Sequence, residues 1–113
     1  RSIAVTGVQT CALPIYAKML EEAGVFAIVL EKIPAKLAEE VAKSVQVPII
    51  GIGAGAGVDG QVLVLHDMLG LTQNFSPRFL RRYAQLGETM TEAVKQYITD
   101  VKSLDFPNAS EQY

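Results

Sequence analysis

The sequence predicts a parallel α/β fold, and two observations carry that prediction. Val25–Leu30 (VFAIVL) and Val47–Ile52 (VPIIGI) are continuous apolar runs rather than alternating ones, which is the pattern of strands buried on both faces. Helix-patterned segments precede and separate them, so the order reads helix, strand, helix, strand, the sign of a parallel sheet with crossover helices.

The elements follow in chain order. Ala17–Ala23 (AKMLEEA) has helix-forming composition, and Gly24 stands where a left-handed capping glycine belongs. The first strand, Val25–Leu30, stops at Glu31. Pro34 then suits the first position of a helix, in which Leu37, Ala38, Val41, Ala42 and Val45 recur at spacings of three and four. Lys36, Glu39, Glu40 and Lys43 fill its outer face. Pro48 is tolerated at the start of the second strand. Gln61–His66 (QVLVLH) is a third strand candidate, and the glycine-rich gap Gly53–Gly60 before it is short for a crossover. Periodicity leaves an antiparallel hairpin open there. Ser76 and Pro77 would start another helix, with Phe79, Leu80 and Tyr83 inward and Gly87 at its end. Thr89 and Glu92 have capping-box spacing ahead of a last helix, whose apolar face is Met90, Ala93, Val94, Tyr97, Ile98 and Val101. The segment 105–113 is polar and reads as loose.

Composition narrows the function classes. The chain has 113 residues, is 50% hydrophobic and 19% charged, and carries a formal charge of −2. It is neither a disordered tail nor a basic phosphate-neutralising surface, so no nucleic acid partner is expected. It is too short for a complete (β/α)₈ barrel, which needs at least about 200 residues. The longest apolar runs fall far short of the about 20 residues of a membrane span, so no membrane association is expected. Cys11 is the single cysteine, which excludes an intrachain disulfide and a multi-cysteine zinc site, and a reducing cytoplasm is the default setting.

Residues 1–16 (RSIAVTGVQTCALPIY) stand apart. Thr6, Gly7, Gln9 and Thr10 interrupt what would be the apolar core of a signal peptide. Val5–Ile15 resembles the in-frame translation of a sequencing adapter, so residues 1–16 are expected to be a non-native segment that makes no core contact. Residues 17–113 then form the native portion, which begins inside a helix.

Several residues invite a chemical reading. Glu31 ends a strand at the edge where parallel α/β folds bind their ligands. A carboxylate there is a candidate proton-abstracting base; the plainer alternative is a solvated Glu paired with Lys32. The glycine run 51–57 (GIGAGAG) could let backbone approach a ligand or could simply make a tight turn. A dinucleotide fingerprint is disfavoured, because no long helix follows and no acidic residue matches about 20 positions on. His66 and Asp67 are adjacent, point to opposite faces of a strand and cannot easily share one site. A buried, hydrogen-bonded His66 is the expectation. Arg78, Arg81 and Arg82 would share one helical face as a solvated surface, a subunit contact or, less readily, a phosphate site.

Residues 17–113 closely resemble the C-terminal portion of the ketopantoate hydroxymethyltransferases. The resemblance rests on VLEKIP (29–34), VPIIGIGAG (47–55), DGQVLVLHDMLGL (59–71), SPRF (76–79), VKQY (94–97) and Phe106-Pro107, in that order. It implies a (β/α)₈ TIM barrel, of which this chain would hold strands six to eight and the helices after them. The eighth strand, Gln61–His66, would then follow an abbreviated crossover, and the hairpin alternative falls.

The activity implied is transfer of a hydroxymethyl group from 5,10-methylenetetrahydrofolate to 3-methyl-2-oxobutanoate, giving 2-dehydropantoate in pantothenate biosynthesis. The resemblance also implies Mg²⁺ chelating the 2-oxo acid to stabilise its enolate, with ligands on earlier strands. Glu31 falls on the family's proton acceptor. No residue is assigned to metal binding and none securely to substrate binding. The fragment alone is expected to be inactive. A cytoplasmic homo-oligomer is implied, decameric in many members, built partly on the terminal helices. Two other readings stand beside it: an enolate-chemistry barrel of the phosphoenolpyruvate or pyruvate type, and a non-catalytic assembly module.

Overall fold

The computed structural model describes residues 4–5, as strand backbone, and residues 12–113. These divide into two compact units: the residues up to Leu63 together with Pro77–Leu80, and Val64–Ser76 together with Arg81–Tyr113.

The first unit is a parallel α/β layer. Its elements are β1 (Ala4–Val5), α1 (Leu13–Glu22), β2 (Ile28–Glu31), α2 (Ala35–Ser44), β3 (Ile49–Ile52) and β4 (Gly60–Gln61). The sheet order is β1-β2-β3-β4, and every pairing is parallel. Ile28 pairs with Ile49, Val29 with Ile50, Leu30 with Gly51 and Glu31 with Ile52. Side chains alternate between the faces of a strand. Ile28, Leu30 and Ile49 are therefore buried on one face, whereas Val29, Glu31, Ile50 and Ile52 are half-buried on the other.

The core occupies the fully covered face. Leu13 and Ala17 of α1 join Ile28, Leu30 and Ile49 of the sheet and Leu37, Ala38 and Val41 of α2. The stripe expected for α2 is observed, with Val45 buried just beyond it and Lys36, Glu39, Glu40 and Lys43 outside. Lys43 bonds Glu39 at 2.8 Å and holds its carboxyl below the usual carboxylate range. That pair is fully solvated and contributes little to stability.

Helix α1 ends as expected. Gly24 is left-handed (φ 94°), and its N–H donates to the Glu21 carbonyl while the Val25 N–H donates to that of Leu20. This is the double hydrogen bond of a Schellman cap. Its start differs from the expectation: the helix begins at Leu13 rather than Ala17, with Pro14 in the first turn. Leu13 is only 5% exposed, so residues 1–16 do make a core contact here. The spacing explains it, because Leu13, Ala17 and Leu20 form one helical stripe. The Val5 side chain, Val8 and Cys11 lie outside the described residues.

Side-chain carboxylates fix the strand entries. Glu21 Oε2 accepts from the backbone N–H groups of Gln46 and Val47, the latter at 2.9 Å, and Asp59 Oδ2 accepts from Ile49 N–H at 2.8 Å. Each satisfies a donor that the ladder leaves free.

The third strand is corrected. Only Gly60–Gln61 is strand, and it pairs parallel with Ile50 and Gly51, so the segment is not a hairpin. The connection achieves this without a helix, using left-handed Gly53 (φ 67°) and Gly55 (φ 79°). A Cβ on Gly55 would collide with Ala35 at the start of α2. Gly55→Ala should therefore destabilise the chain by at least about 2 kcal/mol, from a left-handed penalty of about 1–2 kcal/mol and overpacking of about 1–3 kcal/mol. Urea unfolding reads this directly, and an unchanged midpoint would contradict the close approach.

In the second unit, Leu65–Met68 form a short helix, α3, which takes up the last two residues of the expected strand Gln61–His66. The helix expected from Ser76 is absent. The Arg82 guanidinium instead donates to the carbonyls of Thr72 (3.1 Å) and Phe75 (2.7 Å) and to Ser76 Oγ (3.3 Å), holding 72–76 as a loop.

Helix α4 runs from Leu86 to Lys102 and contains Gly87 in its first turn rather than following it. A Cβ on Gly87 would lie 2.8 Å from the Gly70 carbonyl, so this glycine serves a close backbone approach, not a cap. Thr89 likewise lies within the helix and bonds the Gln85 carbonyl, while Glu92 pairs with Lys95. The capping box is found later. Asn108 accepts from Ser110 N–H, and Glu111 accepts from Asn108 N–H around the 3₁₀ turn Ala109–Glu111. Within residues 105–113, which were expected to be loose, Ala109–Glu111 forms one 3₁₀ turn and every residue is exposed.

Candidate functional site

The carboxyl edge of the sheet gathers the residues of chemical interest in the first unit. Glu31 is the last residue of β2, half-buried, and its register with Ile52 places it on the face opposite the helices. Its neighbours on that face are apolar: Val29, Ile50 and Ile52. Among the described residues Glu31 has no ion-pair partner, so the pairing with Lys32 considered from sequence is not formed.

The backbone turns sharply just beyond it. Lys32 takes a left-handed conformation (φ 53°) while its N–H still bonds the Ile52 carbonyl at 3.0 Å. Such a conformation is uncommon outside glycine and costs of order 1–3 kcal/mol. Lys32 lines a groove of about 640 Å³ together with Ile33, Pro34, Gly53, Gly55, Pro77, Arg78 and Phe79. A Cβ on Gly53 would sit 2.8 Å from the Phe79 ring. The bare backbone at Gly53 is what lets the ring lie on the glycine loop.

Sequence reasoning singled out Glu31, the glycine run and Arg78, and the structure puts the latter two in one groove, next in sequence to Glu31. It did not identify Lys32, Pro34 or Phe79 as groove-lining. The signal available was indirect: Lys32 and Pro34 lie in VLEKIP, and Phe79 closes SPRF.

The arginines do not form one face. Arg78 lines the groove, Arg82 holds the 72–76 loop, and Arg81 lies 6.0 Å from the Tyr83 ring centroid. His66 is exposed on α3 rather than buried, and Asp67 beside it is buried. The two remain on different sides, so they form no shared site. Among the described residues no group of three or more His, Cys, Asp or Glu side chains is placed to hold a metal ion. No helix among them is long and apolar enough to cross a membrane.

A carboxylate and a groove at the carboxyl edge of a parallel sheet stand where α/β proteins place their ligands. Comparison with known sequences specifies which kind. The model of the family described as ketopantoate hydroxymethyltransferase matches residues 5–109, and the chain belongs to that family. A protein of Parabacteroides distasonis named 3-methyl-2-oxobutanoate hydroxymethyltransferase is 70% identical over 97 residues, covering 86% of this chain and 36% of the relative. Identically named proteins of Flavobacterium johnsoniae and Porphyromonas gingivalis are 68% and 67% identical over the same length, with the same coverage. The chain thus spans about a third of the length of these relatives.

Proposed function

We propose that this chain is the C-terminal portion, about strands six to eight with their helices, of a (β/α)₈ barrel. The complete enzyme transfers a hydroxymethyl group from 5,10-methylenetetrahydrofolate to 3-methyl-2-oxobutanoate, giving 2-dehydropantoate. Glu31 is the base that removes the C3 proton of the oxo acid to form the enolate, which then attacks the one-carbon unit. The observation that carries this reading is the face on which Glu31 stands. In a closed barrel the helix-covered face is outside and the opposite face is inside, so Val29, Glu31, Ile50 and Ile52 would point inward, with Glu31 at the carboxyl end where barrel active sites lie.

The described residues supply no three-ligand set for the Mg²⁺ that the family resemblance implies, so no step is assigned to the ion here. A cytoplasmic homo-oligomer belongs to the same reading. Its oligomeric part is supported by the exposed stripe of α4, where Met90, Val94 and Tyr97 are each more than half exposed. Residues 1–16 are read as foreign on the adapter-like stretch Val5–Ile15; the 97 residues matched in the relatives have the length of residues 17–113, whereas the family match reaches back to residue 5. Leu13 then packs because its spacing suits the helix, whatever its origin.

A chimera tests the whole reading. This chain's matching 97 residues would replace the corresponding segment of the Parabacteroides distasonis relative. The product should form with kcat/KM within about tenfold of that relative, about 1.4 kcal/mol of barrier. A folded chimera that makes no 2-dehydropantoate, beside an active relative, would refute the assignment.

A further inference from the structure

We propose that the groove over β2 and β3 binds the cosubstrate's anionic tail, with glutamate carboxylates at Lys32 and Arg78 and the ring portion along Phe79 and Pro34. The inference rests on the proposed reaction, because that reaction requires a ring-bearing folate to approach the carboxyl edge beside Glu31.

The size fits. At about 640 Å³ the groove falls within the roughly 300–1,000 Å³ of small-molecule sites. Its charge is one-sided: among the described residues, Lys32 and Arg78 are the charged ones in the lining, in a chain that is acidic overall. Among the described residues neither head group makes an ion pair or a side-chain hydrogen bond. The nearest carboxylate in sequence, Glu31, belongs to the sheet face away from the helices and does not line the groove.

The remaining walls are apolar or bare backbone: Ile33, Pro34, Pro77 and Phe79, with Gly53 and Gly55. A flat aromatic group with carboxylates at one end matches that division. Arg78 can take a carboxylate by two parallel N–H bonds, whereas Lys32 acts as a point charge. The left-handed backbone at Lys32 is consistent with a fixed placement of its side chain, since strain of this kind collects at ligand clamps.

The test is a pair of ligand titrations on the intact 113-residue chain, followed by NMR without the oxo acid. Tetrahydrofolate carries a glutamate that tetrahydropteroate lacks. Tetrahydrofolate should bind about five- to tenfold more tightly, the scale expected for two solvent-accessible pairs. In Lys32→Gln/Arg78→Gln that advantage should fall below about twofold, while Lys32→Arg/Arg78→Lys should retain most of it.

If the double variant does not fold, salt answers the same question in the unmodified chain. The advantage should shrink between low and roughly 1 M ionic strength, where the screening length drops to about 3 Å. Equal binding of the two ligands, no binding of either, an advantage that survives the double substitution, or one indifferent to salt would each overturn the proposal. These titrations involve no proton abstraction. A failure at Glu31 would appear only in substrate C–H exchange measured without folate, so the two failures are separable.

Discussion

In the chimeric enzyme, Glu31→Gln should slow exchange of the C3 hydrogen of 3-methyl-2-oxobutanoate by about 10²–10⁴-fold, the usual contribution of a positioned general base. That range corresponds to about 3–5 kcal/mol of barrier. Amide and carboxylate have nearly the same shape, so the substitution removes basicity while leaving the carboxyl edge of β2 sterically unchanged. Substrate affinity should change little if Glu31 acts as the proposed base and not as a binding residue. Exchange is followed by NMR in deuterated buffer without folate, which isolates proton abstraction from the later carbon–carbon bond. A rate within a factor of about three of the unsubstituted chimera, far below the general-base range, would remove Glu31 from the base role. Exchange lost together with binding would instead make it a binding residue.

How far the sequence discloses this arrangement depends on whether the forces involved are local. β2, β3 and α2 are legible because strands of a parallel sheet carry continuous apolar runs, although Phe26 of the first run lies outside β2 and is 73% exposed, and a single buried stripe writes spacings of three and four. Glu31 is legible for the same reason, being the first charge after such a run. The segment Val62–Leu65 misleads because its residues favour strand, yet Val62, Val64 and Leu65 are 45%, 53% and 58% exposed. Their apolar character does not reflect burial within this chain, and local propensity gives way.

The arginines mislead in another way. Helical spacing suggests one shared face for Arg78, Arg81 and Arg82, but no helix forms there, and Arg82 is committed to the carbonyls of Thr72 and Phe75. The groove itself depends on Phe79 meeting Gly53, residues 26 positions apart that are related by no periodicity. The motifs VLEKIP and SPRF mark both walls without saying that they meet.

The two faces of the sheet should respond differently to truncation, and the difference tests the barrel independently of any chemistry. Ile49 points to the helices and is fully buried, while its neighbour Ile50 points to the other face and is half-buried. In the 113-residue chain, Ile49→Ala should cost about 2–5 kcal/mol, as loss of a packed core side chain does. Ile50→Ala should cost much less, about 1 kcal/mol, because part of its surface already meets solvent. In the chimera, strands from the relative would close over the second face and bury Ile50 in the barrel interior, which is packed with branched side chains. Its truncation cost should then rise into the same range of about 2–5 kcal/mol, with Ile49 little changed. Urea unfolding of the four variants supplies the numbers. Should Ile50→Ala remain nearly neutral in an active chimera, the face that carries Glu31 would not be the barrel interior, and the structural argument for its role would be lost.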